Sequence, residues 1–485
     1  MKRAPMIAIA LAGVLAVAPA AVAQDQGQFD RTTMPAPGKP PELRVPSWTK
    51  ATLANGADLI VSERHDLPLV SFAISFIGGA NQYEPEGKRG TASFAAALLS
   101  EGTKTRDAEG ISIALQLLGT SIGTAVGDES GSMNFISTTA SFQPTLEILA
   151  DLLVNPTFPE QGLERLRAQR LVALTQANAQ PGSVGSRVFS RVLYGAAHPY
   201  GQRADETSLK AISRDDLAAF HRAYFQPGRA IVTVVGAVDA KTLTATLNRA
   251  FANWPAGGER PAFKYPAAPE PQKTSIYLVD MPGSAQSVFN LGHPGPPRDT
   301  PDFFALQVMN TMLGGMFQSR LNANIREDKG YSYGVRSGFG FGKGPGPFSA
   351  GGDIVTDKSD ATLQEFMKEL RGIQGDRPVT DEELDMAKNS LIQRLPGQFG
   401  AVAQINGAIT TLYVQGLPED YYQTYAKHIS AVGRDDVLRV AKQYIDLDRM
   451  AIVIVGDRSA IEEPLKATGI APIVYLDKEG KPINP

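Results

Sequence analysis

The chain has five histidines, His65, His198, His221, His293 and His428, and no two of them lie three or four residues apart. Two imidazoles on one helix face need that spacing, so no helical His pair can open a zinc site. Glu63 and His65 share one strand face within a polar turn; without a third ligand beside them they read as a solvated pair. His198 belongs to His-Pro-Tyr-Gly, a turn in which Pro199 restricts the backbone. His221 and His428 fall on helices among polar residues, which predicts surface positions. The run GFGKGPG at 340–346 lacks the order of a phosphate cradle, because Lys343 is followed by Gly344, and reads as a flexible loop between strands. No Gly-x-Ser-x-Gly elbow occurs, and the absence of cysteine removes disulfides, thiolate metal sites and Cys nucleophiles. Residue type and spacing therefore assemble no self-sufficient active site.

The 485 residues carry 47 basic and 50 acidic side chains, a net charge of −3, which argues against nucleic acid as the main partner. A hydrophobic share of 43% with 20% charged residues is that of a globular protein. Residues 1–23 combine Lys2 and Arg3, an apolar run broken by Pro19, and Ala21-Val22-Ala23, which predicts a cleaved secretory signal. No other uninterrupted apolar stretch reaches the roughly 18 residues of a membrane span, so none is expected after cleavage. The polar, proline-rich residues 24–47 read as a flexible lead-in.

The elements come in two copies. Arg214-Asp215-Asp216 opens a helical stretch to Tyr224, followed by Arg229, an apolar strand and Gly236. Arg434-Asp435-Asp436, Tyr444, Arg449 and Gly456 repeat these at a constant offset of 220 residues. A generic helix–strand unit would share hydrophobicity but would not hold six such residues in register. The expected organisation is one domain over 48–254, a Pro/Gly/Ala-rich linker over 255–273, a second domain over 274–475 and a tail over 476–485. In the first, 58–61 and 69–77 read as strands, 89–100 and 108–118 as helices, 132–142 as an alternating strand, and 146–153 and 159–177 as helices. In the second, 275–280 and 331–337 read as strands, and 303–312, 361–372 and 381–395 as helices. This is an α+β class chain of two homologous, mixed α/β domains in tandem.

Several stations in order resemble the pitrilysin/insulinase-type metallopeptidases, which include the mitochondrial processing peptidase and bacterial periplasmic relatives. They are Leu53-Ala54-Asn55-Gly56, Gly90 through Gly102-Thr103, Asn155-Pro156, His198-Pro199-Tyr200-Gly201 and the repeated Arg-Asp-Asp units, then Leu313-Gly314-Gly315, Ser319-Arg320-Leu321 and Ile325-Arg326-Glu327 through Tyr333. Active members carry His-x-x-Glu-His between that glycine and the Gly-Thr: two zinc ligands and a general base on one helix. Here the ligand positions fall on Ser93 and Ala97 and the base position on Ala96. A third ligand, a later glutamate, would fall near 174–176, yet no Asp or Glu occurs between Glu164 and Asp205. The resemblance thus implies a processing-peptidase (metallohydrolase-like) fold that is not catalytic in isolation and holds no metal.

The resemblance also implies a role for Arg326 and Tyr333, which match an Arg/Tyr pair by which the non-zinc subunit of split relatives holds substrate. From the residues alone, Arg326 reads as a helix-end cation and Tyr333 as a packed strand aromatic; Tyr331 has the same strand parity and could replace Tyr333. The expected function is that of a periplasmic, non-catalytic subunit that binds peptide, its partner a homologous subunit holding the zinc. The rival expectation is a structural scaffold without a peptidase role. An autonomous zinc protease with unrecognised ligands is a third.

Overall fold

The computed structural model describes residues 43–260, 264–269 and 273–484. The predicted secretory signal and most of the lead-in lie outside the described residues. Six strands, β1 (Thr49–Thr52), β2 (Asp58–Glu63), β3 (Leu69–Ile77), β4 (Gly123–Val126), β5 (Ser130–Thr138) and β6 (Ala230–Gly236), form one sheet in the order β1-β2-β6-β3-β5-β4. Six more, β7 (Ser275–Asp280), β8 (Gln286–Pro294), β9 (Ser332–Phe339), β10 (Pro347–Val355), β11 (Ala451–Gly456) and β12 (Ile473–Leu476), form a second in the order β12-β7-β11-β8-β10-β9. The path β2-β6-β3-β5-β4 is repeated by β7-β11-β8-β10-β9. In each copy one central strand runs parallel to one neighbour and antiparallel to the other. Those central strands, AIVTVVG and AIVIVG, are buried throughout, as continuous apolar runs covered on both faces should be.

The repeated Arg-Asp-Asp units are devices for starting a helix. Asp216 accepts a bond from the Ser213 amide (2.8 Å) and Asp436 from the Gly433 amide (2.9 Å), closing the first turn of Arg214–Tyr224 and Arg434–Tyr444. At the far end of the first helix, the Tyr224 hydroxyl donates to Gly78 O (2.8 Å), tying it to the end of β3.

Two helices absent from the sequence-based expectation join the halves. Pro181–Tyr194, from the first half, lies on β8 and β11 of the second sheet; Val184, Val188 and Phe189 cluster there with Val279, Val453 and Val455. Val402–Gln415, from the second half, lies on β3 and β6, packing Ile405, Ile409 and Leu412 against Ile60, Ile231 and Val235. Each half therefore covers one face of the other's sheet, and the opposite faces carry separate cores. The lead-in is packed at its end, where Leu43 and Val45 join the Ile60 cluster, against the expectation of a flexible arm. The strand expected over 132–142 stops at Thr138. Its hydroxyl accepts from the Ser141 amide (3.2 Å) and starts the helix Thr139–Val154.

Candidate functional site

The helix at the zinc-motif position, Thr91–Leu98, begins after Gly90, whose φ of +108° suits glycine. Glu84 accepts from the Gly90 (2.9 Å) and Ala92 (2.8 Å) amides and pairs with Arg89 at 3.1 Å, satisfying the open first turn. Ser93 and Ala97 lie one turn apart and are half-buried; Ala96 is 4% exposed and belongs to the first core. The Ser93 hydroxyl donates to Gly90 O (2.9 Å). One committed hydroxyl and two methyl groups do not fit zinc, which needs imidazole, thiolate or carboxylate donors. On the helix Glu160–Ala177, Leu174 packs on the first core while Thr175 and Gln176 are exposed. Among the described residues, no three His, Cys, Asp or Glu side chains converge as a metal-binding group. The Gly-Thr at 102–103 is structural: the Thr103 hydroxyl donates to Asp151 at 2.7 Å.

In the second half a π-helical turn, Ala323–Asp328, presents Arg326, and Gly330 at φ +66° sends the chain back into β9. The Tyr331 amide donates to Ile325 O (3.0 Å), closing that reversal. Arg326 and Tyr333 line one pocket of about 170 Å³, with Gly314, Gly315 and Phe317. The Arg326 guanidinium lies 4.3 Å from the Phe317 ring centroid, and its Nε is 3.3 Å from Glu327 Oε1. Tyr333 is 90% exposed, so it is not a packed strand aromatic. Tyr331 precedes β9, packs against the second core and does not line the pocket, which removes it as a replacement for Tyr333. Asn322 holds the strand beside the pocket, accepting from the Val335 amide (3.2 Å) and donating to Phe317 O (2.8 Å). β9 is outermost in its sheet, but its outer edge is covered at mid-strand, where Asn322 takes the Val335 amide and Asn310 donates to Ser337 O (3.1 Å), so the pair sits in a pocket beside a capped strand edge. Phe317 went unrecognised in the sequence; an aromatic just after Gly-Gly was the signal for it.

His198 and His221 are built into the packing. Buried His198 accepts from the Tyr200 amide (3.1 Å), and its Nε2 is 3.1 Å from Pro266 O. His221 is not a surface group: it bonds Leu153 O at 2.8 Å between Phe158 and Phe225, and burial lowers its pKa. His428 is exposed and stacks on Phe304 with centroids 4.6 Å apart. Glu63 and His65 lie 3.6 Å apart in the open. The loop between β9 and β10 is docked rather than free. Its Lys343 amide donates to both Glu129 oxygens (3.1 and 2.9 Å), and its Gly344 amide to the Tyr200 hydroxyl (2.9 Å). The amides of this glycine loop thus hold a carboxylate of the other half.

The described chain matches two family models, "Insulinase (Peptidase family M16)" over residues 60–198 and "Peptidase M16 inactive domain" over 211–391. It is 25% identical over 419 residues to the non-peptidase homolog YmxG of Helicobacter pylori, covering 82% of this chain and 92% of that protein. An uncharacterized zinc protease of Mycobacterium leprae is 25% identical over 351 residues, 70% of this chain and 77% of its own length. The crystal structure of a peptidase M16 inactive domain from Pseudomonas fluorescens superposes with a TM-score of 0.77 at 27% identity, covering 84% of this chain and 98% of that one.

Proposed function

The chain belongs to the insulinase-type M16 peptidase family, and from that premise we propose that it is the substrate-binding, regulatory subunit of a periplasmic zinc metallopeptidase. Its partner is a homologous subunit with an intact His-x-x-Glu-His helix, and the zinc belongs to that partner. Residues 1–23 direct export. The observation that carries the reading is the Arg326–Tyr333 pair, a half-buried guanidinium and an exposed phenol lining one pocket. A peptide segment lying in that pocket can meet both side chains at once. The guanidinium, steadied by Phe317, can make charge-assisted bonds to a peptide carbonyl or carboxylate. The Tyr333 phenol, free of packing, can donate to the scissile carbonyl as negative charge develops on its oxygen.

The test is purification of the chain alone and together with a His-x-x-Glu-His homologue encoded beside it. Alone it should cleave no peptide; the pair should cleave, and a chelator should stop it. Arg326→Ala or Tyr333→Phe should lower kcat/KM of the complex by about tenfold or more and leave assembly intact. Chelator-insensitive cleavage by the chain alone would overturn the proposal. Stable assembly in which neither substitution changes cleavage would instead favour a scaffold.

A further inference from the structure

A second cavity, of about 720 Å³, opens in the C-terminal half and shares no lining residue with the Arg326–Tyr333 pocket. Four helices wall it: Phe303–Asn310, Asp381–Arg394, Val402–Gln415 and Tyr421–Ala431. Its volume is in the range of small-ligand and peptide sites, about 300–1,000 Å³. Two arginines face it. Arg298 has its guanidinium carbon 3.4 Å from the Phe303 ring centroid and 5.4 Å from that of Tyr421. Stacking uses the face of the guanidinium and leaves in-plane N–H groups for an acceptor. Arg394 donates one N–H to Ser390 O (3.0 Å), and its remaining donors are uncommitted among the described residues.

No Asp or Glu lines this cavity, and among the described residues neither arginine is in an ion pair. Asp302, nearby in sequence, is engaged by Arg439 (2.7 Å) and Tyr444 (2.8 Å). Tyr422 and Tyr425, on the same wall, have their phenols pushed up to about 12 by burial and stay protonated at neutral pH. Gln307, Gln398 and Gln404 add side-chain amides that, like a peptide group, both donate and accept. Two lasting positive charges in a lining that holds aromatic rings and no acidic residue fit a ligand that joins a carboxylate to an apolar body.

We propose that this cavity is a second peptide-anchoring site, which takes a short segment carrying a carboxylate next to an aromatic or aliphatic side chain. The peptide class rests on the function proposed above; the acid-free, two-arginine wall is independent of it. The experiment is titration calorimetry of the purified full chain with two unlabelled peptides, acetyl-Gly-Glu-Phe-Glu-Tyr-amide and the same peptide with Gln for Glu. The acidic peptide should bind at least about tenfold more tightly, as charge-assisted bonds to two guanidiniums require. Arg298→Gln with Arg394→Gln should remove most of that preference, and more of it than Arg326→Ala with Tyr333→Phe removes. Because Arg298 also packs on Phe303, the exposed Arg394→Gln alone serves as the second variant, with a smaller loss and an unchanged melting temperature. Equal binding of the two peptides, or no binding of either, overturns the inference. So does a preference that survives the Arg298/Arg394 substitutions but falls with Arg326 and Tyr333, an outcome that leaves the proposed function standing. Loss of cleavage by the assembled peptidase, by contrast, bears on the proposed function alone.

Discussion

Ala96 has become core. At 4% exposure, packed among Leu98, Leu99 and Phe94, it occupies the position where the family's active members carry the general base. Restoring a glutamate there would bury a carboxylate without a partner. Ala96→Glu should cost about 3–5 kcal/mol, read as a fall in the denaturant midpoint; an unchanged midpoint would mean that the helix face is more open than its burial indicates. Gly314 shows the opposite pressure. A Cβ at this position would press on the Ser337 backbone nitrogen, so Gly314→Ala should cost about 1–3 kcal/mol by overpacking and push β9 away from the pocket floor. Its effect on the peptidase complex should match that of Tyr333→Phe, measured as kcat/KM at saturating partner.

The two crossing helices are the elements on which the architecture turns. Asn406, 4% exposed, donates to Ser71 O and Thr233 O (3.0 Å each) and so locks Val402–Gln415 onto two strands of the other half. Asn406→Ala would remove a shared donor and leave two buried carbonyls with one bond fewer. A loss of roughly 1–3 kcal/mol is expected, checked by urea unfolding. Pro181–Tyr194 approaches its sheet through Gly185, where a Cβ would come within 2.8 Å of Asn290 Nδ2 and 3.4 Å of Val288 Cγ1. Both helices carry ordinary apolar stripes. Nothing local in Val184, Val188 and Phe189 says that their sheet begins nearly a hundred residues later, so the crossing was not legible from the chain.

At the scale of the molecule, the crossing makes the halves interdependent. Expressed separately, each half would expose the sheet face that the other's helix covers; both should aggregate, whereas co-expressed halves should reassemble, as gel filtration would reveal. Burial holds His221 and His293 below the ordinary value of 6.5. The unfolded chain therefore takes up protons first as pH falls through about 6.5, so stability is full above that pH and declines below it. The melting temperature should drop between about pH 7 and pH 5.5, and less in a variant with His221→Gln and His293→Gln. The duplication, the central strands and the helix starts at Asp216 and Asp436 were determined by the sequence alone, because apolar periodicity and caps act over a few residues. So was the loss of donors at Ser93, Ala96 and Ala97, since a missing side chain is missing in any fold. Thr138 ended a strand that looked longer, because a β-branched residue also makes a helix cap, and only the chain's path chose between the two. Tertiary structure alone decided the rest. It set Tyr333 in the open beside Arg326 and packed half-buried Tyr331 against the second core, and it docked the glycine loop on Glu129. It also brought Arg298 and Arg394 to one cavity. Those arrangements depend on contacts between residues far apart in the chain, for which sequence spacing carries no record.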